Sequence, residues 1–515
     1  MLVVLSDLHL TDGTSCETLD SGAFRIFSER LQDLAVRASW RSDGQYRPIP
    51  RIDIVLLGDV LDIMRSSRWL IDGAKPWGGD STAEFTQRVG SVVSGILTRN
   101  LETAAILKSL SRRQTIRVPA MASDGKPTFE DDLQPVPVRI HYMVGNADWP
   151  LHLADPEMSR VRGSIIEAFG LNNTPGKPFA HEPLEDTTIQ AVLQQHRVFA
   201  RHGDVFDPLC FTGQRDRCSL ADIILIEGLT RFRFEIQHGL GQQLPPSCQL
   251  GIQELDHVRP LVMAPICLRQ MMKISCPVTS LQFEIKNCWD RVIEQMMPLI
   301  YRIDRESPLG VRDLEEMGSL LKFRCQDNDG WGERMMNWIR KQGIQKSLSK
   351  RALDESEFRN RRAKHIVFGH THSDETVPLD ASFADGFMLS QLYFNSGTWR
   401  RVYTPTCGTE SWREFLPSEK MTYLTFYCDD ERQGAAYEVW SGILGTAPSP
   451  IRRIRVDAAQ SAMAPKSRHV QSAPLRYPAK SMNLGGHSIP APPTAVPSIP
   501  STPVRPANEQ VPQNP

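Results

Sequence analysis

Five short clusters in this sequence place oxygen and imidazole groups at spacings that suit divalent-cation chemistry. In chain order they are Asp7-Leu8-His9, Gly58-Asp59-Val60-Leu61-Asp62, Gly145-Asn146-Ala147-Asp148, His202-Gly203-Asp204 and Gly369-His370-Thr371-His372. Carboxylate, amide and imidazole donors together favour borderline-hard ions such as manganese, iron or zinc. No thiolate occurs in any cluster, which argues against a structural zinc site. Asp7 and His9 are two residues apart, as are His370 and His372; in extended backbone such a pair shares one face. Gly58 leaves room for a sharp turn just before Asp59.

Each cluster follows a short apolar, β-branched run. Such runs cover residues 2–5, 54–57, 138–144, 197–200, 366–368 and 392–394. Runs this short, closed by Gly, Asp, Asn or His, predict buried strands. Residues 83–111 have apolar side chains at helical spacing and predict one helix. Strands alternating with helices predict a layered α/β fold. Ligands of such folds gather at the carboxyl ends of the strands, where the clusters sit.

The ordered series D-x-H, G-D-x-x-D, G-N-x-D, H-G-D and G-H-T-H resembles the calcineurin-like metallophosphoesterase superfamily, over residues 1–205 and 365–440. The resemblance implies an α/β fold with a two-sheet β-sandwich flanked by helices. It implies one divalent metal ion held by Asp7, His9, Asp59 and His372. A second ion would be held by Asp59, Asn146, His202 and His370, so that Asp59 bridges the pair. Asp59, Asn146 and His202 would then act directly in catalysis. Asp62 looks like a carboxylate that orients a ligand histidine, a common partner of metal-bound imidazole; Asp148 and Asp204 are expected to support the site. The implied cofactor is two divalent metal ions, manganese first, with iron or zinc as alternatives. Cations roughly 3.5–4 Å apart lower the pKa of a shared water and clamp phosphate oxygens during in-line attack.

One departure narrows the chemistry. Many members of the superfamily have His at the third position of G-N-x-D, as a proton donor to the leaving group; this chain has Ala147. A phosphate or nucleotide leaving group is stable as an anion near neutral pH, since the second phosphate pKa is about 6. The expectation is therefore a pyrophosphate rather than a simple alkyl ester. The non-histidine G-N-x-D, the H-G-D cluster and a helical insertion also resemble UDP-2,3-diacylglucosamine hydrolase-like members, which cleave a pyrophosphate. Their lipid substrate is not carried over, because this chain has a larger insertion and a Pro-rich tail.

The predicted domains are a core in two parts, residues 1–205 and 365–445, a mostly helical insertion at 206–364, and a Pro-rich disordered tail at 446–515. From residue 448 onward the tail holds 14 of the 37 prolines and only two acids, Asp457 and Glu509. Its first half is basic: a solvated linker, or a tether to an anionic partner. In the insertion, Trp289, Val292, Ile293, Met296, Ile300 and Ile303 form a stripe at helical spacing, and Pro298 should kink or end that helix. The stripe predicts either packing on the core, or a lid or lipid-facing groove that would allow peripheral membrane contact. Residues 334–364 hold ten Lys or Arg against three acids, suiting a solvated face or a site for nucleotide, phospholipid or nucleic acid. Arg400 and Arg401 are weaker candidates to bind substrate phosphate, and Trp149 to stack on a base or fill the core.

The whole chain has a net charge of -1 and does not read as a polycation. The ten cysteines contain no Cys-x-x-Cys pair and predict buried free thiols. Met1 runs straight into the first strand, unlike a signal peptide, and no apolar stretch of about 18 residues occurs. A cytoplasmic protein is expected. The expected function is dinuclear metal-dependent phosphohydrolysis of a phosphoester or pyrophosphate bond in a phosphorylated small molecule, a nucleotide or nucleotide-linked substrate. The alternatives are a manganese-dependent nuclease acting on nucleic acid, a protein phosphatase, and a non-catalytic scaffold of the same fold.

Overall fold

The computed structural model describes residues 1–17, 19–78, 82–128, 133–303, 309–323, 330–344, 346–384, 387–406 and 414–443. The tail predicted at 446–515 lies outside the described residues, as do Cys325 and Cys407. The first strands are β1 (Leu2–Leu5), β2 (Ile52–Leu57), β3 (Arg117–Pro119), β4 (Leu133–Pro135), β5 (Val138–Met143) and β6 (Val198–Ala200). They are followed by β7 (His365–Phe368), β8 (Asp374–Ala384), β9 (Phe387–Ser396), β10 (Val402–Pro405), β11 (Phe415–Ser418), β12 (Lys420–Phe426) and β13 (Tyr437–Ile443). With the helices between them they make a mixed α/β fold.

One sheet has the order β13-β12-β1-β2-β5 and another the order β6-β7-β9-β8. β1, β2 and β5 run parallel, with Val4 opposite Val55 and Leu57 opposite Met143. β6, β7 and β9 are also parallel. Parallel strands in near register bring their carboxyl ends to one edge, and the five polar clusters leave from those ends.

Both faces of β1 and β2 are buried, which explains their unbroken apolar runs. Leu2, Val4, Val55 and Leu57 share one apolar cluster with Val198, Ala200, Val367 and Phe394 of the second sheet. Val3, Leu5, Ile54 and Leu56 join the larger core, which includes Phe24, Phe27 and Leu31 of α1 (Gly22–Ala38). All of these residues belong to one compact unit.

One expectation needs correction, and two open readings are narrowed. The helix predicted over 83–111 is two helices, α2 (Thr82–Arg99) and α3 (Leu101–Arg112). Asn100 separates them: its side-chain amide donates to the carbonyls of Ile96 and Thr11, and its φ of -109° leaves the helical region. The insertion is mostly helical, but Pro298 does not end its long helix, which spans Thr279–Ile303. Burial of Met296, Met297 and Ile300 on either side holds that turn, since packing supplies most helical stability. The stripe itself is packed rather than lipid-facing: Trp289, Val292, Ile293, Met296 and Ile300 are all buried. No helix among the described residues is long and apolar enough to cross a membrane.

The eight described cysteines are free, and six of them are buried. Trp149 is a core residue, stacked on Phe85 at 5.7 Å between ring centres.

Candidate metal centre

The turn after β1 sets the first donors. Asp7 N–H donates to the Gly58 carbonyl at 3.1 Å and His9 N–H to the Asp59 carbonyl at 2.9 Å. Thr398 Oγ1 and Trp399 N–H close on the Asp7 carbonyl. The loops after β1 and β2 are thereby locked together. Glycine is required where they approach the loops after β5 and β6. A Cβ on Gly58, whose φ is +81°, would stand 2.6 Å from His202 Nδ1; one on Gly145 would stand 2.4 Å from Asp59 Oδ1.

The seven residues expected to bind metal meet around Asp59. Asp7, His9 and His372 present donor atoms within 4.8 Å of one another, and so do Asp59, His202 and His370. His9 Nε2 is 3.7 Å from both Asp7 Oδ1 and Asp59 Oδ2, linking the two groups. His372 Nε2 is 3.3 Å from Asp7 Oδ1, and His202 Nε2 is 3.3 Å from Asp59 Oδ2. Asn146 lines the same cavity as Asp59, His9, His370 and His372, a cleft of about 700 Å³ that opens to solvent.

The donor atoms fit cations. Asp7 Oδ1, Asn146 Oδ1 and His202 Nε2 are buried without a hydrogen-bond partner. Each such atom costs about 1–3 kcal/mol when left unmatched. His202 Nδ1 donates to the Leu57 carbonyl at 2.9 Å, which turns its Nε2 toward Asp59. His9 Nδ1 is held by Asp62 Oδ2 at 2.9 Å, which turns its Nε2 toward His372 Nε2, 3.1 Å away. Two imidazole nitrogens facing each other among carboxylates suit a shared cation.

The charges are strongly coupled. Burial raises the Asp7 carboxyl pKa, but His202, His372 and His9 hold it well below its usual value. Burial disfavours charged His202, yet Asp59 and Asp7 pull its pKa well above normal. Burial and then Arg259 depress His372 to about 3, leaving a neutral ring suited to ligation.

The supporting carboxylates differ. Asp62 bonds His9 Nδ1 at 2.9 Å and also holds Arg65 at 2.8 Å. Asp148 braces the turns, accepting from Val60 N–H, Gly145 N–H and Tyr142 O–H. Burial and then Asp59 raise its carboxyl to about 7. Asp204 pairs with Arg215 at 2.8 Å, and this partner offsets burial to hold it at about 2.

Arg400 and Arg401 require correction, since neither lines the cavity. Arg400 is buried against Asp62, Cys16 and the Asp256 carbonyl. Arg401 is paired with Glu254 and Glu419. Both guanidiniums are already bound by protein groups. Among its described residues, the basic run at 334–364 lines the cavity only through Ile344; Arg334, Arg340, Lys341 and Arg351 face solvent. The cations that do line it are Arg65 and, on the insertion, Arg259, whose Nη1 donates to the Asp256 and Val258 carbonyls at 3.0 and 2.9 Å. Burial, then Arg400 and Arg65, lower Arg259 to about 9. Asp207 and Asp222 also line the cavity, and Asp207 meets His370 Nε2 at 3.2 Å. Asp207 lies three residues beyond H-G-D, so reading on to the next acid would have found it; Arg259 carries no local motif.

No protein-family model matches the chain, and no curated protein matches it.

Proposed function

We propose that this chain is a dinuclear metal-dependent phosphohydrolase of the calcineurin-like metallophosphoesterase type, cleaving a phosphoester or pyrophosphate bond of a nucleotide or nucleotide-linked substrate. The observation that carries the reading is the gathering of seven donors, from five strand-end loops, around Asp59: His9, Asp59, Asn146, His370 and His372 line one cavity, and Asp7 and His202 lie beside them. Two sheets that share an apolar cluster, with helices outside, agree with the two-sheet sandwich of that superfamily.

Two divalent cations, manganese by preference, would be held by Asp7, His9, Asp59 and His372 on one side and by Asp59, Asn146, His202 and His370 on the other. They would supply Lewis-acid charge to phosphate oxygens and lower the pKa of the attacking water. The protein's own part is orientation. Asp62 and the Leu57 carbonyl fix the rings of His9 and His202. Asp59 Oδ1 is held by Ala147 N–H at 2.7 Å, which leaves Oδ2 toward His9 and His202. Arg259 brings a guanidinium to the cavity wall, where it can pair with a second phosphate. Ala147 offers no proton, which favours a leaving group that departs as an anion.

No Lys or Arg of the 334–364 run lines the cavity, so the nuclease reading loses the weak support that run gave it. The test is a screen of phosphate monoesters, diesters, dinucleotides, nucleotide-linked pyrophosphates and DNA with manganese present. Hydrolysis of a nucleotide-linked pyrophosphate is expected, and Asp59→Ala should lower its rate by roughly a thousandfold or more. Full activity in that variant would refute the mechanism.

A further inference from the structure

A second set of donors lies outside the Asp59 cavity, where the insertion first meets the core. His152, His181 and Asp216 each offer one ligand atom, all within 4.8 Å of one another. Asp216 Oδ1 is 3.9 Å from His152 Nε2 and 3.6 Å from His181 Nε2. These distances are too long for hydrogen bonds. The two rings are 4.5 Å apart between centres.

Both histidines are placed to act as ligands. His152 Nδ1 donates to the Phe179 carbonyl at 2.8 Å, which leaves Nε2 its lone pair. The His181 side chain is 3% exposed, and neither of its ring nitrogens has a hydrogen-bond partner. Burial first, and then Arg215 against the pull of Asp216, keeps His181 below its usual pKa. The Arg215 guanidinium is itself held by Glu182 and Asp204. A buried imidazole with no partner on either nitrogen is costly, and a cation between it, His152 and Asp216 removes that cost.

We propose that His152, His181 and Asp216 form a further cation site, which takes a divalent transition ion such as zinc and fastens the first loop of the insertion to the core. Tetrahedral zinc with bonds of about 2.0–2.1 Å spaces its ligand atoms about 3.3 Å apart. The observed 3.6 and 3.9 Å need to close by only a few tenths of an ångström. Asp216 is half exposed, so water reaches the remaining coordination positions. The fastened loop carries Asp207, Leu209 and Cys210, which line the Asp59 cavity. Occupancy of this site would therefore steady one wall of the cavity.

The test counts zinc in the full chain. Parent, Asp216→Ala and His152→Ala proteins are stripped with chelator and equilibrated at a buffered micromolar free zinc concentration. Bound metal is then measured by mass spectrometry. Both substituted side chains are partly exposed, so both variants should fold, and thermal melts followed by circular dichroism check this. Each variant should hold one zinc per chain fewer than the parent. Parent-level zinc in either variant overturns the proposal. The readout is a difference between proteins that all keep the Asp59 cluster, so it does not depend on the phosphohydrolase reading.

Discussion

Asp7, His9, Asp59, His370 and His372 all have φ between +46° and +68°, a region that side chains other than glycine avoid. Left-handed backbone costs roughly 1–2 kcal/mol per residue. Such strain persists where surrounding structure enforces it, and here it falls on residues whose donor atoms gather around Asp59. Precision at this scale also depends on groups that would not touch metal. Asp62 bonds His9 Nδ1 at 2.9 Å, so Asp62→Asn should weaken manganese affinity by about 10–100-fold. A manganese titration of activity reads this directly, and an unchanged half-saturation point would exclude an orienting role. Arg259 gives a complementary prediction. Loss of a charge-assisted hydrogen bond worth about 1.5–3 kcal/mol should lower kcat/KM of Arg259→Ala by roughly 10–100-fold. Arg401→Ala should leave kcat/KM unchanged, because that guanidinium is engaged by Glu254 and Glu419 outside the cavity. Equal losses in the two variants would remove Arg259 from substrate binding.

At the scale of elements, the strand-end donors could be read in the sequence because each motif is local: an apolar run, a turn, then a ligand. Residues 2–5 coincide with β1, and 366–368 lie within β7. The helix break at Asn100 was hidden, because the carbonyl of Thr11 that its side chain reaches comes from another part of the chain. Arg259, Asp207 and Asp222 were missed as cavity residues for a similar reason: the insertion's folding, not a motif, brings them there. β7 also carries a feature invisible to pattern. His365 is buried against Phe394, Phe426 and Tyr437, and neither ring nitrogen has a hydrogen-bond partner. Burial, then Lys364 and Arg197, lower its pKa to about 3. A depressed histidine pKa favours the neutral ring in the folded state. Its stabilisation is present above the unfolded pKa of about 6.5 and is lost progressively as pH falls toward 3. Between pH 7 and pH 5 this one group should remove about 2 kcal/mol of stability. His365→Phe should therefore flatten the pH dependence by that amount while keeping the aromatic packing. Denaturant unfolding at the two pH values measures it, and parallel losses in parent and variant would exclude His365 as the source.

Over the whole folded unit, the proposed metal centre is also a joint. Asp7, His9, Asp59 and Asn146 leave from strands of the five-stranded sheet, whereas His202, His370 and His372 leave from the four-stranded sheet. Cations held by both sets would tie the sheets across the edge where their carboxyl ends meet. Binding to the folded state alone stabilises it by about 2.7 kcal/mol per site when free ion is at a hundred times its dissociation constant. Two sites at that level would contribute about 5 kcal/mol, and a rise in Tm on the order of 5 °C follows for a unit of this size. Chelator should lower the Tm of the parent chain, and manganese should restore it. Asp59→Ala should lose most of this response, because both ions share that carboxylate. Asp216→Ala should keep it, since the donors at His152 and His181 lie outside the cavity. A Tm that is indifferent to manganese in the parent would mean that the seven donors converge without binding cations. The proposed hydrolysis would then have no chemical basis, whatever the motifs suggest.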